Sequence, residues 1–182
     1  MTKREQYAPG PAVGAQVQKD GETWRLMIVR ELRHPPQQVW EAITDPSQLR
    51  EWAPFDADRS LATVGGPVML TTVGAPMLHV TETKVTRADA PNVLEYNWGG
   101  FDMRWELEAV KSGTRLTLWT SIDRRYIAMG AAGWHVCFDV LDRLLSGDPI
   151  GRLVGPDAMK IPGWQRLQGE YVKQFKDEGR AQ

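Results

Sequence analysis

The stretch from Met129 to Gly147, MGAAGWHVCFDVLDRLLSG, most tightly limits what this chain can fold into. At 100° per residue, Trp134, Cys137, Phe138, Val140, Leu141, Leu144 and Leu145 share one broad arc, with His135, Asp139, Asp142 and Arg143 opposite. That pattern predicts an amphipathic helix with one face to bury. Two segments just before it alternate with period two: Met103, Trp105, Leu107 and Ala109 against Arg104, Glu106 and Glu108, then Leu116, Leu118 and Ile122 against Arg115, Thr117 and Ser121. Together they predict an antiparallel sheet with one dry face, and a long helix to cover it.

Turn residues divide the middle of the chain into further strands. Gly65 with Gly66, Gly74, Pro91 with Asn92, Gly99 with Gly100, and Ser112 with Gly113 separate Pro67 to Val73, Leu78 to Val85, Val93 to Trp98, Met103 to Val110 and Thr114 to Ile122. A short strand is also expected near Arg59 to Ala62. Upstream, Thr23 to Leu32 reads as a first strand, stopped by Pro35 and Pro36. Val39, Trp40 and Ile43 then recur at helical spacing. Asp45, Pro46 and Gln48 signal a second helix start, with Leu49 and Trp52 on one face. Trp164, Leu167, Tyr171 and Phe175 predict a last amphipathic helix near 163–176. Residues 1–20 carry Pro9, Gly10, Pro11 and Gly14 without periodicity and read as a flexible arm, leaving residues 21–182 as a single domain.

A chain of 182 residues can bury one sizeable core. Its 22 Lys and Arg balance 23 Asp and Glu, so no positive field marks a nucleic-acid partner. No segment suits insertion in a membrane and the start lacks a signal-peptide pattern, so the expected location is cytoplasmic. The single cysteine, Cys137, excludes an intrachain disulfide and falls on the apolar arc, where an inert thiol is the ordinary explanation.

The order strand, two short helices, antiparallel strands and long helix resembles the START-like, or SRPBCC, helix-grip fold, an α+β class with a curved antiparallel sheet of about six or seven strands. The resemblance narrows to the branch named for the activator of the heat-shock protein 90 ATPase. It rests on Pro36, Val39 and Trp40, on Thr44 to Pro46 and Trp52, and on the turn from Asp89 to Pro91 with Leu94, Tyr96 and Trp98. It continues through Gly113, Thr114, Leu116 and Leu118, then Gly133 and Trp134, and finally Trp164, Tyr171 and Phe175. These landmarks are chiefly structural and carry no invariant catalytic set. The resemblance implies a cavity between sheet and long helix, which different members use for lipids, hormones or polyketide-like aromatics.

The expected ligand-binding residues are therefore Tyr96, Trp98, Met103, Trp105, Leu116 and Leu118 of the sheet and Trp134, Phe138 and Leu141 of the helix, around a small hydrophobic molecule. The plainer alternative is that these side chains simply fill the core. His135, Asp139 and Asp142 share a helix face, as a metal or acid–base site would need, but that face is opposite the apolar arc and is expected to be solvated. His34 is expected exposed, and His79 and Glu82 fall on opposite sides of one strand. With three histidines, one cysteine and no phosphate-binding loop, no metal and no cofactor are expected. Trp119 sits on the polar face of its strand, marking a subunit interface of a homodimer, a contact with the N-terminal arm, or merely a lone exposed aromatic.

Two other functions compete with ligand binding. An enzyme similar to the polyketide cyclases would move protons with groups such as Glu82 or Tyr96. An interaction protein for heat-shock protein 90 would need the companion domain found in the activator itself, for which 182 residues leave no room.

Overall fold

The computed structural model describes residues 1–180. Nine strands form two sheets: β1 (Ala15–Asp20), β2 (Thr23–Leu32), β9 (Gly113–Ile122), β8 (Phe101–Val110), β7 (Val93–Trp98) and β6 (Arg87–Asp89) in that spatial order, and β3 (Phe55–Ala57), β4 (Gly65–Thr72) and β5 (His79–Val85) in the other. All described pairings are antiparallel. The second sheet continues the first at β7, where Thr86 N–H donates to the Glu95 carbonyl at 2.9 Å. Helices α2 (Pro36–Thr44) and α3 (Pro46–Trp52) follow β2, and α4 (Ile127–Leu145) follows β9 through a short 3₁₀ turn. This is the helix-grip arrangement.

Register explains how the dry face is assembled. Ile28, Leu118, Trp105 and Leu94 stand opposite one another across four strands, and Leu26, Thr120, Met103 and Tyr96 form the neighbouring row. All eight are buried. Because side chains alternate, the intervening positions must face out. There Arg104 pairs with Glu95 and Glu106, and Arg115 with Glu31 and Glu108. Half-buried Trp119 belongs to this outer face, opposite Met27 and Arg104 in the register.

Helix α4 ends as its sequence demands. Ser146 caps it, Gly147 takes φ 74°, and the N–H groups of Gly147 and Asp148 return to the carbonyls of Leu144 and Arg143 at 3.1 and 2.9 Å. This Schellman closure favours glycine, which has no Cβ penalty at positive φ.

Three expectations are corrected. The strand near Arg59 to Ala62 does not form. Phe55–Ala57 pairs with β4 instead, while Leu61 is fully buried with its N–H on the Thr44 carbonyl. Residues 1–20 are not an arm without regular structure: α1 (Lys3–Gln6) is closed by a Thr2–Glu5 capping box, Tyr7 is buried, and β1 extends the sheet along β2. The sequence hides this because β1 has only Ala15 and Val17 to bury, too few for a periodic signal. Finally, α4 is not amphipathic in its surroundings. The sheet takes one face, and α6 (Trp164–Arg180), which follows the short α5 (Gly155–Met159) and has Trp164, Leu167 and Tyr171 buried, packs on another. No described helix is long and apolar enough to cross a membrane.

Candidate ligand-binding cavity

Beneath the middle of α4 the space is filled by aromatic rings. Trp52 of α3 packs edge-on against Trp105 with centroids 6.0 Å apart and lies 6.4 Å from Phe138. Trp105 in turn meets Trp134 at 5.7 Å, and its indole N–H donates to the Tyr96 hydroxyl at 3.1 Å. Burial holds that phenol protonated by raising its pKa. Of the nine residues expected around a ligand, Trp105, Leu116, Leu118, Phe138 and Leu141 are core packing. Tyr96 and Met103 reach a different depression, shared with Lys84, Glu95 and Arg104. Trp52 accounts for the difference, since a helix after the first strand delivers an indole into the volume that the sheet and α4 would otherwise enclose.

Open space begins where that packing stops, toward the N-terminal half of α4. Trp98 and Trp134, the other two expected residues, line a cavity of about 360 Å³. Its remaining wall comes from Pro54, Thr72 to Ala75 across the end of β4, Phe101 at the β7–β8 turn, Thr120 to Ile122 of β9, Met129 to Cys137 of α4, and the passage from Leu153 to Trp164. No charged side chain is among the lining residues. Trp98 is fixed by Phe55 at 5.0 Å, by Trp134 at 6.2 Å, and by donation of its indole N–H to Thr72 Oγ1 at 3.1 Å. Cys137 presents a neutral thiol, its pKa pushed up to about 12 by burial.

The outer wall was missed from sequence because residues 148–163 show only Gly and Pro signals. The structure ties them down from both sides. Arg152 donates to the Arg50 carbonyl at 2.8 Å and pairs with Asp56, and Arg4 donates to the Arg152 carbonyl at 2.7 Å. Gly155, at φ 55°, passes so close to Gly74 that a Cβ there would lie 2.6 Å from the Gly74 carbonyl oxygen. Only glycine permits that contact between the two halves of the mouth.

The polar face of α4 also needs correction. His135 is 2% exposed and not solvated. Its Nδ1 shares a 2.8 Å hydrogen bond with the Tyr171 hydroxyl, which donates to the Val13 carbonyl at 3.1 Å. Asp139 pairs with Arg30 and accepts from the Tyr7 hydroxyl at 2.6 Å. A helical wheel gives directions and not neighbours: α6, Tyr7 and Arg30 occupy the side away from the sheet. This cluster lies outside the cavity and ties the N-terminal segment to α4 and α6. Asp142 stands apart from it, beside His34, whose side chain is 13% exposed and so not the free group expected. Ser146 Oγ lies 3.3 Å and Asp142 Oδ1 3.5 Å from the same His34 Nε2, whereas a nucleophilic triad uses both ring nitrogens. His79 and Glu82 are exposed. Among the described residues no group of three or more His, Cys, Asp or Glu side chains could hold a metal ion.

Burial lowers the His135 pKa below its ordinary 6.5, outweighing Asp139, which raises it. The unfolded chain therefore binds the proton first, and stability is expected to fall as pH drops below about 6.5. Arg30, Arg166, Glu170 and the Tyr7 and Tyr171 hydroxyls share this environment. The wild-type melting temperature should decline more steeply on acidification than that of a His135→Gln variant. Parallel profiles would show that His135 does not carry the effect.

A curved sheet gripped by α4, with an apolar cavity between them, defines a protein of the START-like, helix-grip class. Within it, residues 33–146 match the family model of activator of Hsp90 ATPase homolog 1-like proteins, so the chain belongs to that family. Solved structures agree on the fold. CalU16 from Micromonospora echinospora is 21% identical with a TM-score of 0.61, over 92% of this chain and 98% of that one. A conserved protein of unknown function from Enterococcus faecalis is 18% identical with a TM-score of 0.63, over 90% and 91%. The AHSA1-like protein from Aeromonas hydrophila is 19% identical with a TM-score of 0.55, over 68% and 92%. No curated protein matches in sequence. The family match ends at residue 146, so the outer wall from Leu153 to Trp164 lies beyond it.

Proposed function

We propose that the protein binds one small apolar or aromatic molecule in the cavity between the sheet and the N-terminal half of α4. The observation that carries this is a space of about 360 Å³ lined by Trp98, Phe101, Trp134 and Trp164 with no charged side chain. Ligand sites are typically concave, largely apolar and of this size or larger. A solid core would have closed the gap, as it does a few ångströms away around Trp52. The cavity offers little to acid–base catalysis: no carboxylate, imidazole or phenol lines it, and Glu82 is exposed on β5.

The test is titration with 2-ethylnaphthalene, followed by tryptophan emission and by native mass spectrometry. Trp98, Trp134 and Trp164 report directly on occupancy. Saturable one-to-one binding is expected. Absence of both an emission change and a bound mass would end the proposal.

A further inference from the structure

We infer that the cavity selects neutral aromatic molecules carrying a hydrogen-bond acceptor, such as an aromatic ketone, over anionic amphiphiles of the same shape. This rests on the proposed ligand-binding function and names the chemistry of the occupant.

The wall of the cavity carries few polar side chains. Thr72 ends β4 on the same side as buried Val68 and Leu70, so its side chain turns toward the cavity it lines. Its oxygen accepts the Trp98 indole N–H at 3.1 Å. Among the described residues its own hydroxyl hydrogen has no acceptor, which leaves the Thr72 hydroxyl free to donate to a ligand in the cavity it lines. Donation from Trp98 also polarises that hydroxyl and fixes its position. Thr120, 4% exposed, differs: its hydroxyl meets Met103 Sδ at 3.3 Å and the Ser121 carbonyl at 3.2 Å, so its hydrogen has local acceptors. The Cys137 thiol is neutral and a weak donor.

A ligand carbonyl that gives up water can therefore recover a hydrogen bond from Thr72, while its rings lie among Trp98, Phe101, Trp134 and Trp164. A carboxylate loses far more hydration and finds no Lys, Arg or His in the wall to replace it. An ammonium is no better served, since no Asp or Glu lines the cavity.

Equilibrium dialysis of the full chain against 2-acetylnaphthalene, 2-ethylnaphthalene and 2-naphthoate near neutral pH separates these terms on one ring system. The ketone is expected to bind at least as tightly as the hydrocarbon, and 2-naphthoate at least about tenfold more weakly than the ketone. Thr72→Val should weaken the ketone by about tenfold more than it weakens the hydrocarbon. The rank order in the wild-type protein decides the matter even if that variant folds poorly. Naphthoate binding within about tenfold of the ketone, or a ketone weaker than the hydrocarbon, would overturn the inference and leave the proposed function standing. Failure of all three probes would overturn both.

Discussion

Replacing Trp52 by Ala is expected to lower the unfolding free energy by about 3–5 kcal/mol, the range for removing a large aromatic side chain from a close-packed core. Trp52 is completely buried, and its ring is the wedge between Trp105 and Phe138 that closes the space under the middle of α4. Its indole N–H also donates to the Ala42 carbonyl at 2.9 Å, tying α3 back to α2. Deletion therefore removes apolar burial, leaves a void that its ring neighbours cannot refill, and strips a buried carbonyl of its partner. Chemical denaturation measures this: the midpoint should fall sharply at nearly constant slope. Trp119→Ala makes the control, since that indole is half-buried on the outer sheet face and its loss should cost well under half as much. Equal losses would mean that the Trp52 cluster is not the centre of the core.

The strands were legible because their side chains alternate over long runs. From Met103 to Ala109 and from Leu116 to Ile122, two-residue periodicity fixes which face is dry, and the register sets the two runs side by side in the sheet. The helix after them was legible for the same reason. Family resemblance supplied the order of elements and the notion of a cavity, both of which sequence periodicity alone leaves open.

What escaped was decided by neighbours distant in sequence. His135 shares the polar arc of the helix with Asp139 and Asp142, and nothing local reveals that Tyr171, 36 residues later, will bury it. Leu49 and Trp52 read simply as one face of a short helix, although Trp52 determines where the cavity can begin. Thr72 looked like an ordinary strand residue until its pairing with the Trp98 indole placed it at the mouth. The wall from Leu153 to Trp164 had no periodic signal because carbonyl contacts from Arg4 and side-chain contacts of Arg152 hold it in place. In each case the sequence records a side chain's direction but not what will meet it.

The second large effect concerns occupancy of the cavity. Gly133 lines it from the N-terminal half of α4, and a Cβ built there meets no atom within 4 Å. Gly133→Phe would project a ring into that open space. The backbone tolerates the change, because Gly in a helix interior is disfavoured relative to most other residues by several tenths of a kcal/mol or more. Gly130, three residues earlier, makes the contrast: a Cβ there would lie 2.5 Å from Ile122 Cδ1, so even Ala must displace the tip of that side chain. Position 133 thus allows ligand space to be removed without removing core packing. Dialysis of the Gly133→Phe variant against 2-ethylnaphthalene, paired with its melting temperature, tests the proposed site most directly. Affinity should drop by at least about tenfold while the melting temperature holds or rises; a stable variant that binds the hydrocarbon as tightly as the wild-type protein would place the ligand somewhere else.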